Sequence, residues 1–197
     1  MTNRKVAQGE HSRDALTAAA ITLFAEKGFA ETSTTEIVER AGLTRGALYH
    51  HFADKDQLFE AALEAVEGDI FDRVQAAAAP LGDDLRRRLG TGVGVFLDAC
   101  LEPAVQRILL QEAPSVLGWE RWQRLDRPRC ARRLLAVNLA EAVDRGLVAA
   151  PSSAALTHLL YGALVQAGIV IAGAEDPRAT RTIMGETVDR LLDSLFD

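Results

Sequence analysis

Residues 34–63 read TTEIVERAGLTRGALYHHFADKDQLFEAAL, and the order of capping, apolar and small residues in this stretch decides the fold. Ser33, just before it, stands three residues ahead of Glu36. At that spacing a hydroxyl and a carboxylate each satisfy a free amide at a helix start. Ile37, Val38 and Ala41 then supply the buried side of a two-turn helix that Gly42 stops. Thr44 suits the cap of a second short helix, with Leu48 and either His51 or Phe52 on its inner side. Two short helices joined through "AGLT" have a small residue and a glycine where their backbones must cross closely, as a helix-turn-helix requires. The same pattern also fits an ordinary corner between two helices.

Outward from this stretch, apolar residues recur at three- and four-residue spacing and no strand-like alternation of useful length occurs, so the fold is expected to be all-α. A first helix is expected from Ser12 as cap, through Leu16, Ala19, Ala20, Leu23 and Phe24, to a stop at Gly28. Asp54 and Gln57 repeat the capping spacing before a long helix over about 55–79, with Leu58, Phe59, Ala62, Leu63, Val66 and Ile70 on one stripe. At 1.5 Å per residue it forms a rod of roughly 35 Å. After a turn at "PLGD", Leu85 to Cys100 keep helical spacing, although Gly90, Gly92 and Gly94 are expected to loosen the helix by about 1 kcal/mol each. Pro103 opens a short helix to about Gln111, and "EAPSVLG" reads as a connection to a longer helix near Trp119. Pro128 should kink that helix or restart it with Asp126 as cap, before a run to a stop at Gly146. The last two helices are expected to start at 151–153 and at Pro177.

The chain has 197 residues, 48% hydrophobic and 25% charged, as expected of a soluble globular protein with a real core. Its net charge of −6 argues against nucleic acid unless a local surface does the reading. The first 55 residues are not a basic block, because Glu26, Glu31, Glu36 and Glu39 accompany Arg13, Lys27, Arg40 and Arg45. "MTNRKVAQGEHSRD" has no apolar run behind its basic residues, so a cytoplasmic location is expected. Cys100 and Cys130 lie outside any metal or redox spacing and read as reduced thiols. His50 and His51 point about 100° apart on a helix and do not share an ion, so no metal site is expected. "GTGVGVF" at 90–96 lacks the strand and the Lys-Ser/Thr ending of a phosphate loop, and no cofactor is expected.

The stretch "ALTHLLYGALVQAGIVIAGA" at 155–174 is apolar nearly all round. His158 and Gln166 interrupt it and neither end has basic anchors, which favours burial between core and a partner subunit over a membrane span. Residues 153–173 and 177–196 are expected to form a four-helix interface between two chains, Leu164 and Leu192 included.

Residues 34–63 closely resemble the DNA-binding segment of the TetR/AcrR family of transcriptional regulators, and the likeness covers about 50 residues once the first helix is included. The resemblance implies a helix-turn-helix DNA-binding domain over 1–54 and a helical effector-binding and dimerisation domain over 55–197. It implies a homodimer on a double-stranded, roughly palindromic operator, released by a small apolar or amphipathic effector. Residue by residue it puts Arg45 and Ala47 at base edges with Gly46 allowing close approach, and Thr35, Thr44, Tyr49, His50 and Lys55 at phosphates. An effector pocket in the C-terminal part is then expected to draw on Phe96, Cys100, Trp119, Trp122, His158 and Tyr161, for which ordinary core packing, or for the two tryptophans a dimer contact, remains an alternative. Two rival readings stand beside this one: a helical interaction protein that reads no DNA, and an enzyme using His158 as base with Tyr161 or Cys100. No nucleophile, orienting acid or cofactor motif converges on those three, so no catalytic residue is assigned.

Overall fold

The structure is a computed structural model that describes residues 2–118, 120, 122 and 127–196, with side-chain surroundings from Gly9 onward. It is about 80% helical, and no strand occurs among the described residues. In chain order the helices are α1 (Thr2–Lys27), α2 (Thr34–Arg40), α3 (Arg45–His51), α4 (Lys55–Ala78), α5 (Leu85–Ala99), a π-helical segment (Val105–Glu112), α6 (Ala113–Leu117), α7 (Ala131–Asp144), α8 (Ser153–Ala172) and α9 (Pro177–Phe196). The contacts group the chain differently from a linear division at residue 54. One compact unit comprises Met1–Val66 with Pro103–Leu125, the other Glu67–Glu102 with Asp126–Asp197.

In the first unit, α1 begins ten residues before the expected cap at Ser12. Thr2–Ser12 holds no proline, and Gly9 alone weakens a helix there by about 1 kcal/mol, so nothing stops it from propagating. The buried face is the expected one, and Gly28 ends the helix at φ 85°, where a side chain is strained. Phe24, Phe29 and Phe59 meet with ring centroids 5.3 to 5.7 Å apart, tilted or edge-on. Such pairs contribute about 0.5–1.5 kcal/mol each beyond their burial.

The capping box of Ser33 and Glu36 is complete in both directions. Gly42 turns the chain at φ 65°, and the Thr44 hydroxyl accepts from Ala47 N at 3.2 Å. At the head of α4, Gln57 N donates to Asp54 Oδ1 at 2.8 Å, while Gln57 Oε1 takes the amide of Ala53.

The connection expected at "EAPSVLG" is instead helix. Ala113 N reaches back five residues to Ile108 O, and the wider π register runs directly into α6, which carries Pro114 in its first turn. A proline clashes with the carbonyl four residues back in a regular α-helix, and the shifted register relieves that clash. This segment packs on α1. Glu112 Oε2 accepts from Phe29 N at 2.8 Å, Glu112 Oε1 from Arg107 Nε at 3.1 Å, and Arg107 Nη2 donates to Lys27 O at 3.2 Å. The cation thereby completes the C-terminal end of α1. The expected helix start at Trp119 and the cap at Asp126 lie outside the described residues.

In the second unit α8 packs on α7, and α9 on α5. α5 is continuous through Gly90, Gly92 and Gly94. Arg181 holds it, donating to Asp98 Oδ1 at 2.6 Å and to Gly94 O at 3.0 Å, and so does Arg86, which donates to Asp193 Oδ1 at 2.9 Å. Arg127 and Glu67 form an ion pair at 3.0 Å with both side chains nearly buried. Cys100 and Cys130 are buried and not joined in a disulfide, and burial pushes the Cys100 thiol up to about 12.

Candidate functional site

α3 is seven residues long and buries one side chain, Leu48. Thr44, Arg45, Gly46, Tyr49 and His50 are exposed, Ala47 and Thr35 half-buried. Tyr49 is 57% exposed, a large aromatic ring that the chain's own packing does not use. The Arg45 guanidinium donates to the Thr35 hydroxyl, which places a positive charge where α2 and α3 adjoin. Thr44 spends an oxygen lone pair on its cap and keeps its O–H to donate elsewhere. His51 turns inward: its ring lies 6.5 Å from that of Phe52, next to α1 at Gly9. Lys55 differs from the other residues of the set. It is half-buried, and its ammonium donates to Phe29 O at 2.8 Å and Thr32 O at 3.1 Å, leaving one N–H for anything outside.

The second unit contains a cavity with about 450 Å³ of empty space, its open mouth included. Val74 of α4, Arg88, Leu89, Val93 and Phe96 of α5, Leu134, Leu135 and Asn138 of α7, and Tyr161 and Leu164 of α8 line it. Of the residues expected at a pocket, Phe96 and Tyr161 are brought together here. Cys100 is buried outside the lining, and Trp122 belongs to the first unit. His158 is exposed on α8, and Trp119 lies outside the described residues. Burial, reinforced by the negative charge of Glu67, raises the Tyr161 hydroxyl above the usual phenol range, so it stays protonated. Sequence reasoning missed Asn138, although a lone amide in the apolar run "LLAVNLAEAV" was the signal for it.

Two family models cover most of this architecture. The one for bacterial regulatory proteins of the tetR family matches residues 16–62, and the one for the tetracyclin repressor-like C-terminal domain matches residues 87–195. The chain belongs to the TetR family of transcriptional regulators. A TetR-family regulator from Pectobacterium atrosepticum, known by crystal structure, is 34% identical, with a TM-score of 0.74 over 96% of each chain. The regulator BetI of Stenotrophomonas maltophilia is 30% identical over 148 residues, 70% of this chain and 76% of that protein. The regulator AcrR of Shigella flexneri is 37% identical over 70 residues, 36% of this chain, and that match spans only 33% of its own length. TetR-family proteins are DNA-binding regulators, often repressors, rather than enzymes, and homodimers and small-molecule ligands are typical of the family.

Proposed function

We propose that this TetR-family chain is a ligand-responsive repressor whose dimer places two α3 helices in successive major grooves of a roughly palindromic operator, about 34 Å apart. The observation that carries the reading is the outward face of α3, which is built of side chains that the fold itself does not need. Arg45 offers paired donors that fit guanine O6 and N7, and Ala47 a methyl for a thymine methyl. A side chain at Gly46 would meet only Thr44 Oγ1, at an ordinary 3.7 Å. Internal packing therefore does not call for a residue that weakens a helix by about 1 kcal/mol, whereas close approach to a duplex does. Thr35, Thr44, Tyr49, His50 and the remaining N–H of Lys55 serve the phosphates.

Functionally, residues 1–54 read DNA and 55–197 bind effector and partner in a cytoplasmic protein. The dimer face is assigned to α8 and α9, where Leu159, Ile183 and Leu191 are 74%, 63% and 51% exposed. α8 is long and apolar enough to cross a membrane by length and composition, and we assign its exposed face to a second copy rather than to lipid. The effector, small and apolar or amphipathic, occupies the cavity on which Val74 of α4 and Phe96 and Tyr161 converge.

Selection of duplexes from a random pool by the purified protein tests this directly. Enrichment of an inverted repeat with half-sites about one helical turn apart is the expected result. Recovery of no preferred sequence would sink the reading.

A further inference from the structure

We propose that the cavity between α5, α7 and α8 takes an uncharged, largely apolar small molecule bearing a hydroxyl or N–H donor, which it presents to Asn138 Oδ1. This rests on reading the cavity as the effector site.

Asn138 Nδ2 donates to Leu134 O, one turn back, at 2.7 Å. That bond fixes which way round the amide sits, because the opposite orientation would set two acceptors face to face. Oδ1 is then the atom left over, and it is buried without a hydrogen-bond partner. Asn138 belongs to the lining of the cavity, which is mostly hydrocarbon: Val93, Leu134, Leu135 and Leu164. A buried acceptor with no donor is costly, and a ligand that brings an O–H or N–H removes the cost while its apolar body fills the rest. A ligand that only accepts hydrogen bonds leaves the oxygen unmatched.

The hydrocarbon lining argues for a neutral ligand, because desolvating a charge there is costly. Arg88 Nη1 lies 3.8 Å from Glu141 Oε2, a carboxylate it shares with Arg145 at 3.1 Å, and the Arg132 guanidinium stands over the Tyr161 ring, 5.8 Å from its centroid. Glu67, whose negative charge acts on Tyr161, is already paired with Arg127 at 3.0 Å. Tyr161 keeps its proton and adds a polar group without adding charge. The space, about 450 Å³ with its open mouth included, suits only a small ligand.

The test uses 1-octanol and its isomer dibutyl ether, which have the same atoms and differ in whether the oxygen can donate. Isothermal titration of the whole chain should show the alcohol binding roughly ten- to a hundredfold tighter than the ether, and Asn138→Leu should bring the two to near parity. The ratio in the parent protein tests the proposal even where the variant folds poorly. Equal binding of the two isomers by the parent overturns it, and so does binding of neither. If neither binds while the protein still holds a selected operator, the regulator reading survives and this inference falls. If the alcohol is preferred but no duplex is ever selected, the inference stands and the regulator reading falls.

Discussion

The ammonium of Lys55 lies 2.8 Å from the carbonyl oxygen of Phe29 and 4.2 Å from the centroid of the same residue's ring. With its second bond, to Thr32 O at 3.1 Å, the lysine ties the start of α4 to the turn that follows α1. Replacement by methionine keeps the length and removes both bonds, so Lys55→Met should lower stability by about 1–3 kcal/mol in urea unfolding. If its third N–H meets a phosphate, the slope of log affinity against log salt should also flatten by about one unit per protomer. A variant as stable as the parent would show that these contacts are not formed in solution.

Arg45 behaves oppositely, because it is exposed and its guanidinium is held by the Thr35 hydroxyl rather than by backbone carbonyls. Arg45→Ala should change stability by less than about 0.5 kcal/mol. On a selected operator it should cost about 1–3 kcal/mol and relax specificity at one base position in each half-site, as competition binding to permuted duplexes will show. Tyr49→Phe should weaken binding with almost no change in the salt slope, since a neutral donor releases no counterion.

Glu36 sets a pH signature for α2. The ammonium of Lys27, then the amide and hydroxyl of Ser33, hold its carboxyl at about 2 against an ordinary 4.5. A depressed folded value means that the contribution is complete above about 4.5 and disappears as the pH falls through about 2. The difference in melting temperature between parent and Glu36→Gln should therefore be level from neutral pH down to about 5 and shrink below it. A difference that grows on acidification would contradict the assignment.

What the sequence made legible was local. The caps at Ser33 and Thr44, the stops at Gly28, Gly42 and Gly146 and the extent of the long α4 each depend on residues within a turn or two of one another. The bond from Phe29 N to Glu112 joins residues 83 apart, and no periodicity announces it. The start of α1 was misplaced because Ser12 resembles a cap, and a cap signal does not say whether a helix already exists before it. His158 and Tyr161 share one side of α8, yet Tyr161 lines the cavity while His158 is exposed. On a helix apolar nearly all round, spacing gives no inward direction.

The same ambiguity affected the apolar stripes assigned to the subunit contact. Leu164 and Leu192 are 6% and 1% exposed within their own chain, so a charge there should unfold the protein rather than separate subunits. Leu159→Asp together with Ile183→Asp acts on residues 74% and 63% exposed. That double variant should keep its helical circular dichroism and sediment as a monomer where the parent sediments as a dimer. An unaltered protein that is monomeric at micromolar concentration would remove the dimer from the proposal.

Gly28 tests the attachment of the π-helical segment. A Cβ at this position would collide with the Glu112 carboxylate and the Arg107 guanidinium, and its φ of 85° disfavours any side chain. Gly28→Ala should cost about 1–2 kcal/mol from backbone conformation alone. Displacing Glu112 from Phe29 N adds to that, and thermal melts will read the sum.

The unit that carries α3 is assembled from two stretches of chain separated by 36 residues, Glu67–Glu102. A DNA-reading segment cut after Asp54 and grafted onto the body of another regulator leaves behind the carboxylate that receives the amide of Phe29 and the guanidinium that closes the end of α1. On the proposed reading, the DNA-reading head is thus not a detachable cassette of residues 1–54. A recombinant keeps a sound head only when residues 103–117 travel with it or the recipient supplies their equivalent.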